Sequence, residues 1–174
     1  MNHTLVIGGC RSGKSGHALH LADRISTANK YFLATCIPED DEMQQRVFRH
    51  QTERGLDWTA VETPVSLPET IKDMSHKADV LLVDCLTLWV SNLMMTYPDA
   101  DAVSSSVDSL AESLRNAACP VFLVTNDVGS GVVPDNFLAR QFRDAVGMTN
   151  QRIASCVNEV IWMVAGIPVK IKSA

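Results

Sequence analysis

The sequence lacks the marks of several protein classes. Its 174 residues hold five cysteines, Cys10, Cys36, Cys85, Cys119 and Cys156, an odd number at wide spacings with no C-x-x-C pair. Neither a disulfide framework nor a zinc site is indicated, and a thiol beside an apolar run acts as a small hydrophobe. Basic side chains are also short: 15 Lys plus Arg stand against 20 Asp plus Glu, a formal charge of −5. A surface so poor in positive charge is not built to hold a polyphosphate backbone, so no nucleic acid is expected, while small anionic substrates stay open. No run approaches the roughly 18 apolar residues of a membrane span. Residues Met1 to Val6 lack the basic start and long apolar stretch of a signal peptide, so the expected location is the cytoplasm. No internal repeat is visible, and 46% hydrophobic residues suffice for one core, so a single domain over 1–174 is expected.

What is present is alternating α/β punctuation. Apolar runs recur at Thr4 to Ile7, Tyr31 to Ala34, Val80 to Val83, Val121 to Thr125 and Val160 to Val164, with room for a helix between them. Because the runs are continuous rather than alternating, they read as strands covered on both faces, the pattern of a mainly parallel sheet. Helical patterning covers Lys14 to Ile25, Asp101 to Ala118 and Asp135 to Asn158, with Gly147 a candidate break in the last. Two strand-like pieces around Gly166-Ile167-Pro168 predict a C-terminal hairpin with one antiparallel edge strand. The segment Asp99 to Ser106 reads as a solvated loop running into a helix N-terminus.

Directly after the first predicted strand stands Gly8-Gly9-Cys10-Arg11-Ser12-Gly13-Lys14-Ser15, which matches G-x-x-x-x-G-K-[ST] and leads into a helix. Glycines let the backbone wrap a phosphate with its N–H groups inward. Lys14 then supplies a cation to the β- and γ-phosphates, Ser15 a hydroxyl to Mg²⁺, and the helix its positive end. Asp84, at the end of Val80-Leu81-Leu82-Val83, is the acid expected to hold hydrated magnesium; capping the next helix is the competing reading. These elements point to a nucleotide with Mg²⁺ and do not choose among kinase, switch and motor.

Three further features bear on the site. Glu39-Asp40-Asp41-Glu42 follow Pro38 as a helix start, where the dipole favours acids, and Met43, Val47 and His50 share one face of that helix, near Arg46, Arg49 and Arg54. His50 reads either as a half-buried structural histidine or as a nucleophile whose neutral ring attacks a phosphorus. Thr125 to Pro134 is a polar, glycine-bearing loop at the carboxyl end of a buried strand, where loops line sites. Arg140, Arg143 and Arg152 beyond it either reach anions or are solvated.

Together these residues resemble the bifunctional adenosylcobinamide kinase/adenosylcobinamide-phosphate guanylyltransferase family of cobalamin biosynthesis, nearly end to end. The carriers are Gly8 to Ser15, Asp40 to Met43 with Arg46, Arg49 and His50, Trp58 with Glu62, Asp84 to Leu93, Thr125 to Pro134, Phe142 to Asp144 with Asn150 to Arg152, and Gly166 to Lys172. The resemblance implies two reactions: phosphorylation of adenosylcobinamide by ATP or GTP, then transfer of GMP from GTP onto that phosphate, giving adenosylcobinamide-GDP and pyrophosphate. It implies a P-loop NTPase with a RecA-like mainly parallel sheet, assembled as a homotrimer. His50 matches the histidine that carries GMP, with Lys14 as the other catalytic residue. The implied nucleotide contacts are Gly8, Gly9, Cys10, Arg11, Ser12, Gly13, Lys14, Ser15, Ala34, Thr35, Cys36, Gln51, Thr52, Glu53, Arg54, Glu62 and Asp84, and the implied metal ligands are Ser15 and Asp84.

The departures are modest. Cys10 stands where the family has a small alanine, Gly55 where a proline often follows the arginine, and Asp84 where some relatives have glutamate. Cys10 would make nucleotide binding sensitive to oxidation if the loop amides stabilise its thiolate. Two alternatives stay open: a P-loop kinase with one activity, in which His50 is structural, and a GTP-dependent switch. The switch is disfavoured because Asn126-Asp127-Val128-Gly129 does not fit the guanine-reading N-K-x-D motif.

Overall fold

A computed structural model describes residues 2–25, 28–38, 57–97 and 99–173. Among them run β1 (Thr4–Gly8), α1 (Lys14–Asp23), β2 (Lys30–Ala34), β3 (Trp58–Glu62), α2 (Leu67–Met74), β4 (Val80–Asp84), α3 (Leu86–Thr96), α4 (Ala100–Asn116), β5 (Val121–Asn126), α5 (Phe137–Cys156), β6 (Glu159–Val164) and β7 (Ile167–Lys172). The strands form a seven-stranded sheet in the order β3-β2-β4-β5-β1-β6-β7. Strands β1 to β6 pair in parallel, and β7 alone runs antiparallel to β6.

The continuous apolar runs are explained by burial on both faces. Leu5, Leu33, Leu81, Val83 and Leu123 face one core, filled by α2, α3, α4 and α5; Val6, Phe32, Leu82, Phe122 and Val124 face the other, with Ala18 and Ala22 of α1. The small alanines allow α1 to lie close against the sheet.

The expected strands and the antiparallel hairpin are present, and three elements appear that apolar runs did not mark. Strand β3 sits on the sheet edge with only Trp58 buried, so it never needed a continuous apolar run. Helix α2 is short, with a proline at its start, and α3 is apolar around most of its surface, which hides a helical period. Gly147 does not break α5, which runs unbroken past it. The loop expected over Asp99 to Ser106 is shorter than that: Asp99 caps α4 by accepting from the Asp101 N–H, and Ser104, Ser105 and Ser106 are already helical. Ser106 Oγ bonds back to the Ala102 carbonyl at 2.9 Å, turning its polar group into part of the helix.

Candidate active site at the strand carboxyl ends

The phosphate loop springs from Gly8, the last residue of β1, and closes on the first turn of α1. Gly13 precedes that helix with φ +86°, a left-handed conformation that favours glycine. Gly8 is held tighter still. A Cβ there would lie 2.8 Å from the Met163 carbonyl oxygen and 2.6 Å from Ser12 Oγ, so β6 and the loop itself leave no room for a side chain. The loop rests on the C-terminal hairpin, whose Gly166 N–H donates to the Ser12 carbonyl at 3.1 Å. Lys14 Nζ folds over the loop and donates to the Gly9 carbonyl at 3.0 Å. Cys10 and Arg11 are exposed, Lys14 and Ser15 half-buried, and Ser12 buried.

Strand register gathers the other expected residues. Ala34 of β2 is paired with Glu62 of β3 on one side and Asp84 of β4 on the other, so the three form one row across adjacent carboxyl ends. At about 4.8 Å between strands, the row spans about 10 Å. Asp84 is half-buried and Glu62 exposed. The cap position of α3 falls on Cys85, one residue past Asp84, and the Cys85 side chain makes no capping bond.

Thr35 is fully buried, and its hydroxyl is occupied by the protein. Its Oγ1 donates to the Cys85 carbonyl and accepts from the Cys85 N–H, both at 2.8 Å. Its carbonyl accepts from Asn92 Nδ2 at 2.8 Å, and that amide also reaches the Pro64 carbonyl at 2.9 Å. Thr35 therefore braces the backbone beside Asp84 with its side chain turned away from solvent. Burial, then the neighbouring Asp84 carboxylate, pushes the Cys85 thiol up to about 12.

A second brace holds the end of β5. Thr87 Oγ1 accepts from the Asn126 N–H at 2.7 Å, Asn150 Nδ2 donates to the Asn126 carbonyl at 3.1 Å, and Thr125 Oγ1 bonds Asn150 Oδ1 at 2.7 Å. Helices α3 and α5 thus fix the strand end through polar side chains. Residue-by-residue reading did not find these positions as braces. Their signal is that Thr87, Asn92 and Asn150 are polar residues on helices packed against the core, Thr87 itself being buried.

Of the three arginines in α5, Arg140 donates to the carbonyls of Pro134 and Asp135, and Arg152 pairs with Asp108 of α4 at 2.7 Å. Arg143 Nη1 is buried without a partner among the described residues. A groove of about 660 Å³ lies between α3, α4 and α5 over Val103, Val107 and Met148, on the face of the sheet opposite α1. His50, Gln51, Thr52, Glu53 and Arg54, with the helix expected from Glu39 onward, lie outside the described residues.

The family model for cobinamide kinase / cobinamide phosphate guanyltransferase, CobU, matches residues 4–171. The chain belongs to this family. It is 39% identical over 180 residues to the bifunctional adenosylcobalamin biosynthesis protein CobU of Escherichia coli, covering 97% of this chain and 98% of that one. It is 37% identical over 168 residues to the bifunctional adenosylcobalamin biosynthesis protein CobP of Pseudomonas aeruginosa, covering 97% and 96%. The fold is shared with a solved protein of Pyrococcus horikoshii OT3, PH0250, at a TM-score of 0.57 and 10% identity, over 99% of this chain and 86% of that one. As a CobU-family chain, it carries the P-loop of the family on a mainly parallel sheet with an antiparallel end. Among the described residues, no helix is long and apolar enough to cross a membrane.

Proposed function

We propose that this chain carries both activities for which its family is named: it phosphorylates adenosylcobinamide and then transfers GMP from GTP onto the new phosphate. The supporting observation is that the Gly8–Ser15 loop and the row of Ala34, Glu62 and Asp84 lie at the carboxyl ends of one parallel sheet, in a member of this family.

In the first reaction, the acceptor hydroxyl oxygen bonds to the γ-phosphorus, the bond from that phosphorus to the β,γ-bridging oxygen breaks, and the nucleoside diphosphate leaves. Chemistry of this kind is mostly positioning and charge neutralisation. Backbone N–H groups of the loop cradle the phosphates, and Lys14, already poised over the loop, exchanges its Gly9 carbonyl partner for phosphate oxygens. Ser15 and Asp84 offer a hydroxyl and a carboxylate, hard oxygen donors that suit Mg²⁺ bound largely through phosphates and water. That cation supplies neutralisation of the charge on the leaving phosphates.

In the second reaction, a neutral His50 imidazole nitrogen bonds to the α-phosphorus and pyrophosphate leaves; the acceptor phosphate oxygen then displaces the histidine. Ala34, Thr35, Cys36, Gln51, Thr52, Glu53, Arg54 and Glu62 take the guanine nucleotide, Thr35 through neighbouring backbone, since its hydroxyl is bonded to Cys85. The acceptor macrocycle is too large to be enclosed by so small a chain, which supports a site shared between subunits, and the family resemblance implies that the assembly is a homotrimer. The cytoplasm is the compartment we assign.

The test is direct. With cobinamide, ATP and GTP, mass analysis should find cobinamide phosphate and then its GDP derivative. Incubation with α-³²P GTP should leave acid-labile label on the wild-type chain and none on His50→Ala. Recovery of cobinamide phosphate alone, with no label on the chain, would reduce the protein to a single-activity kinase.

A further inference from the structure

The strand that separates the phosphate loop from Asp84 ends in a polar side chain that the mechanism above does not use. Strand β5 lies between β1 and β4, and its last residue, Asn126, is in register with Gly8, while Asp84 is level with Val124. With strands about 4.8 Å apart and about 3.3 Å of rise per residue, Asn126 sits about 5 Å from Gly8 and about 8 Å from Asp84, Cα to Cα. Phe122 and Val124 belong to the core that contains α1, and Leu123 belongs to the other. Strand alternation therefore turns Asn126 to the side on which the phosphate loop opens into α1.

The backbone of Asn126 is fixed by Thr87 and Asn150, and the next N–H, of Asp127, donates to the Gly8 carbonyl at 3.2 Å. Its polar neighbours are committed: the Thr125 hydroxyl to Asn150, and the Asp127 carboxylate to Ser130 Oγ at 2.7 Å. Asn126 Oδ1, in contrast, is buried with no hydrogen-bond partner among the described residues, and so is Ser12 Oγ on the loop beside Gly8. Buried polar atoms are paired as a rule, so two orphans flanking the same glycine mark a polar ligand site. A carboxamide offers a donor and an acceptor on one rigid plane, and rotating that plane by half a turn presents its N–H inward.

We propose that the Asn126 carboxamide is a catalytic group of the phosphoryl-transfer step, donating an N–H to an oxygen of the terminal phosphate held by the Gly8–Ser15 loop. The inference rests on the nucleotide reading of that loop and is independent of the acceptor's identity. As the γ-phosphorus exchanges the β,γ-bridging oxygen for the acceptor oxygen, charge shifts over the phosphate oxygens, and a donor fixed in advance meets it without reorganising. In GMP transfer the bond that breaks is at the α-phosphorus. There, Asn126 touches only the departing pyrophosphate, and its effect on the rate is smaller.

The experiment compares binding of GDP and of the β,γ-imido analogue of GTP, each with Mg²⁺, by calorimetry on the full chain. For Asn126→Ala, GDP affinity should stay within about twofold of wild type, while the analogue weakens about tenfold, with a larger loss in Asn126→Asp, whose carboxylate repels phosphate. The phosphoryl-transfer kcat should fall about 100-fold. Equal losses for GDP and the analogue, or an unchanged analogue affinity, overturn the proposal. If the alanine variant melts early, Asn126→Ser carries the same comparison. A variant series with the expected GDP/GTP-analogue contrast in a protein that makes no cobinamide phosphate would overturn the acceptor assignment and leave Asn126 in place.

Discussion

Thr35→Val replaces a hydroxyl by a methyl of nearly the same shape at a fully buried position. The hydroxyl serves both backbone groups of Cys85 at 2.8 Å, but those groups do not lose equally. The Cys85 carbonyl also accepts from the Trp89 N–H at 3.1 Å and keeps that partner. The Cys85 N–H, which donates to the Thr35 hydroxyl, is left buried and unpaired, a cost of about 1–3 kcal/mol, with about 1 kcal/mol more for the second bond. Burial of the new methyl returns about 0.8 kcal/mol. The net expectation is a loss of about 2 kcal/mol. Thr35→Ser keeps the hydroxyl and loses a buried methyl, costing about 1 kcal/mol. Urea unfolding of the three proteins, compared at their midpoints, should order them wild type, Ser, Val. A valine variant as stable as wild type, or more stable than the serine variant, would refute the reasoning, because it would mean that apolar burial rather than the Cys85 brace governs this position.

Three further predictions address the loop, the thiols and pH. Gly8→Ala should cost about 1–3 kcal/mol, because its Cβ would press on the Met163 carbonyl as well as on Ser12, whereas Gly9→Ala, with open space around it, should stay within about 0.5 kcal/mol; equal denaturant midpoints for the two would contradict this. Maleimide should label exposed Cys10 first and abolish GTP binding, while buried Cys85, with its thiol pushed up to about 12, stays unmodified in the folded protein; peptide mapping decides. His3 is buried, its Nδ1 accepts from the Val121 N–H at 3.2 Å, and burial, then the nearby amino terminus, lowers its pKa from 6.5. Above about pH 6.5 the ring is neutral in both states and stability is complete; below it the unfolded chain takes up a proton that the folded ring resists, so stability falls with pH. The melting temperature of His3→Asn should fall less steeply than wild type between pH 7 and 5, with a residual slope from His17, also lowered, and parallel slopes would remove His3 from the account.

Local physics made much of this protein readable in advance. A strand buried on both faces must be apolar throughout, so β1, β2, β4, β5 and β6 announce themselves, and a loop that wraps phosphate needs its glycines, lysine and serine within eight consecutive residues. Edge strand β3 has no such requirement, and α3 is apolar on too many sides to show a period. What only the tertiary structure decided is which distant groups meet. Register across parallel strands aligns Glu62, Ala34 and Asp84, sets Asn126 beside Gly8, and brings the Thr35 hydroxyl to a backbone fifty residues away. Side-chain chemistry is written in the sequence one residue at a time, but partnership is set by strand order and packing, which no local window of the chain contains.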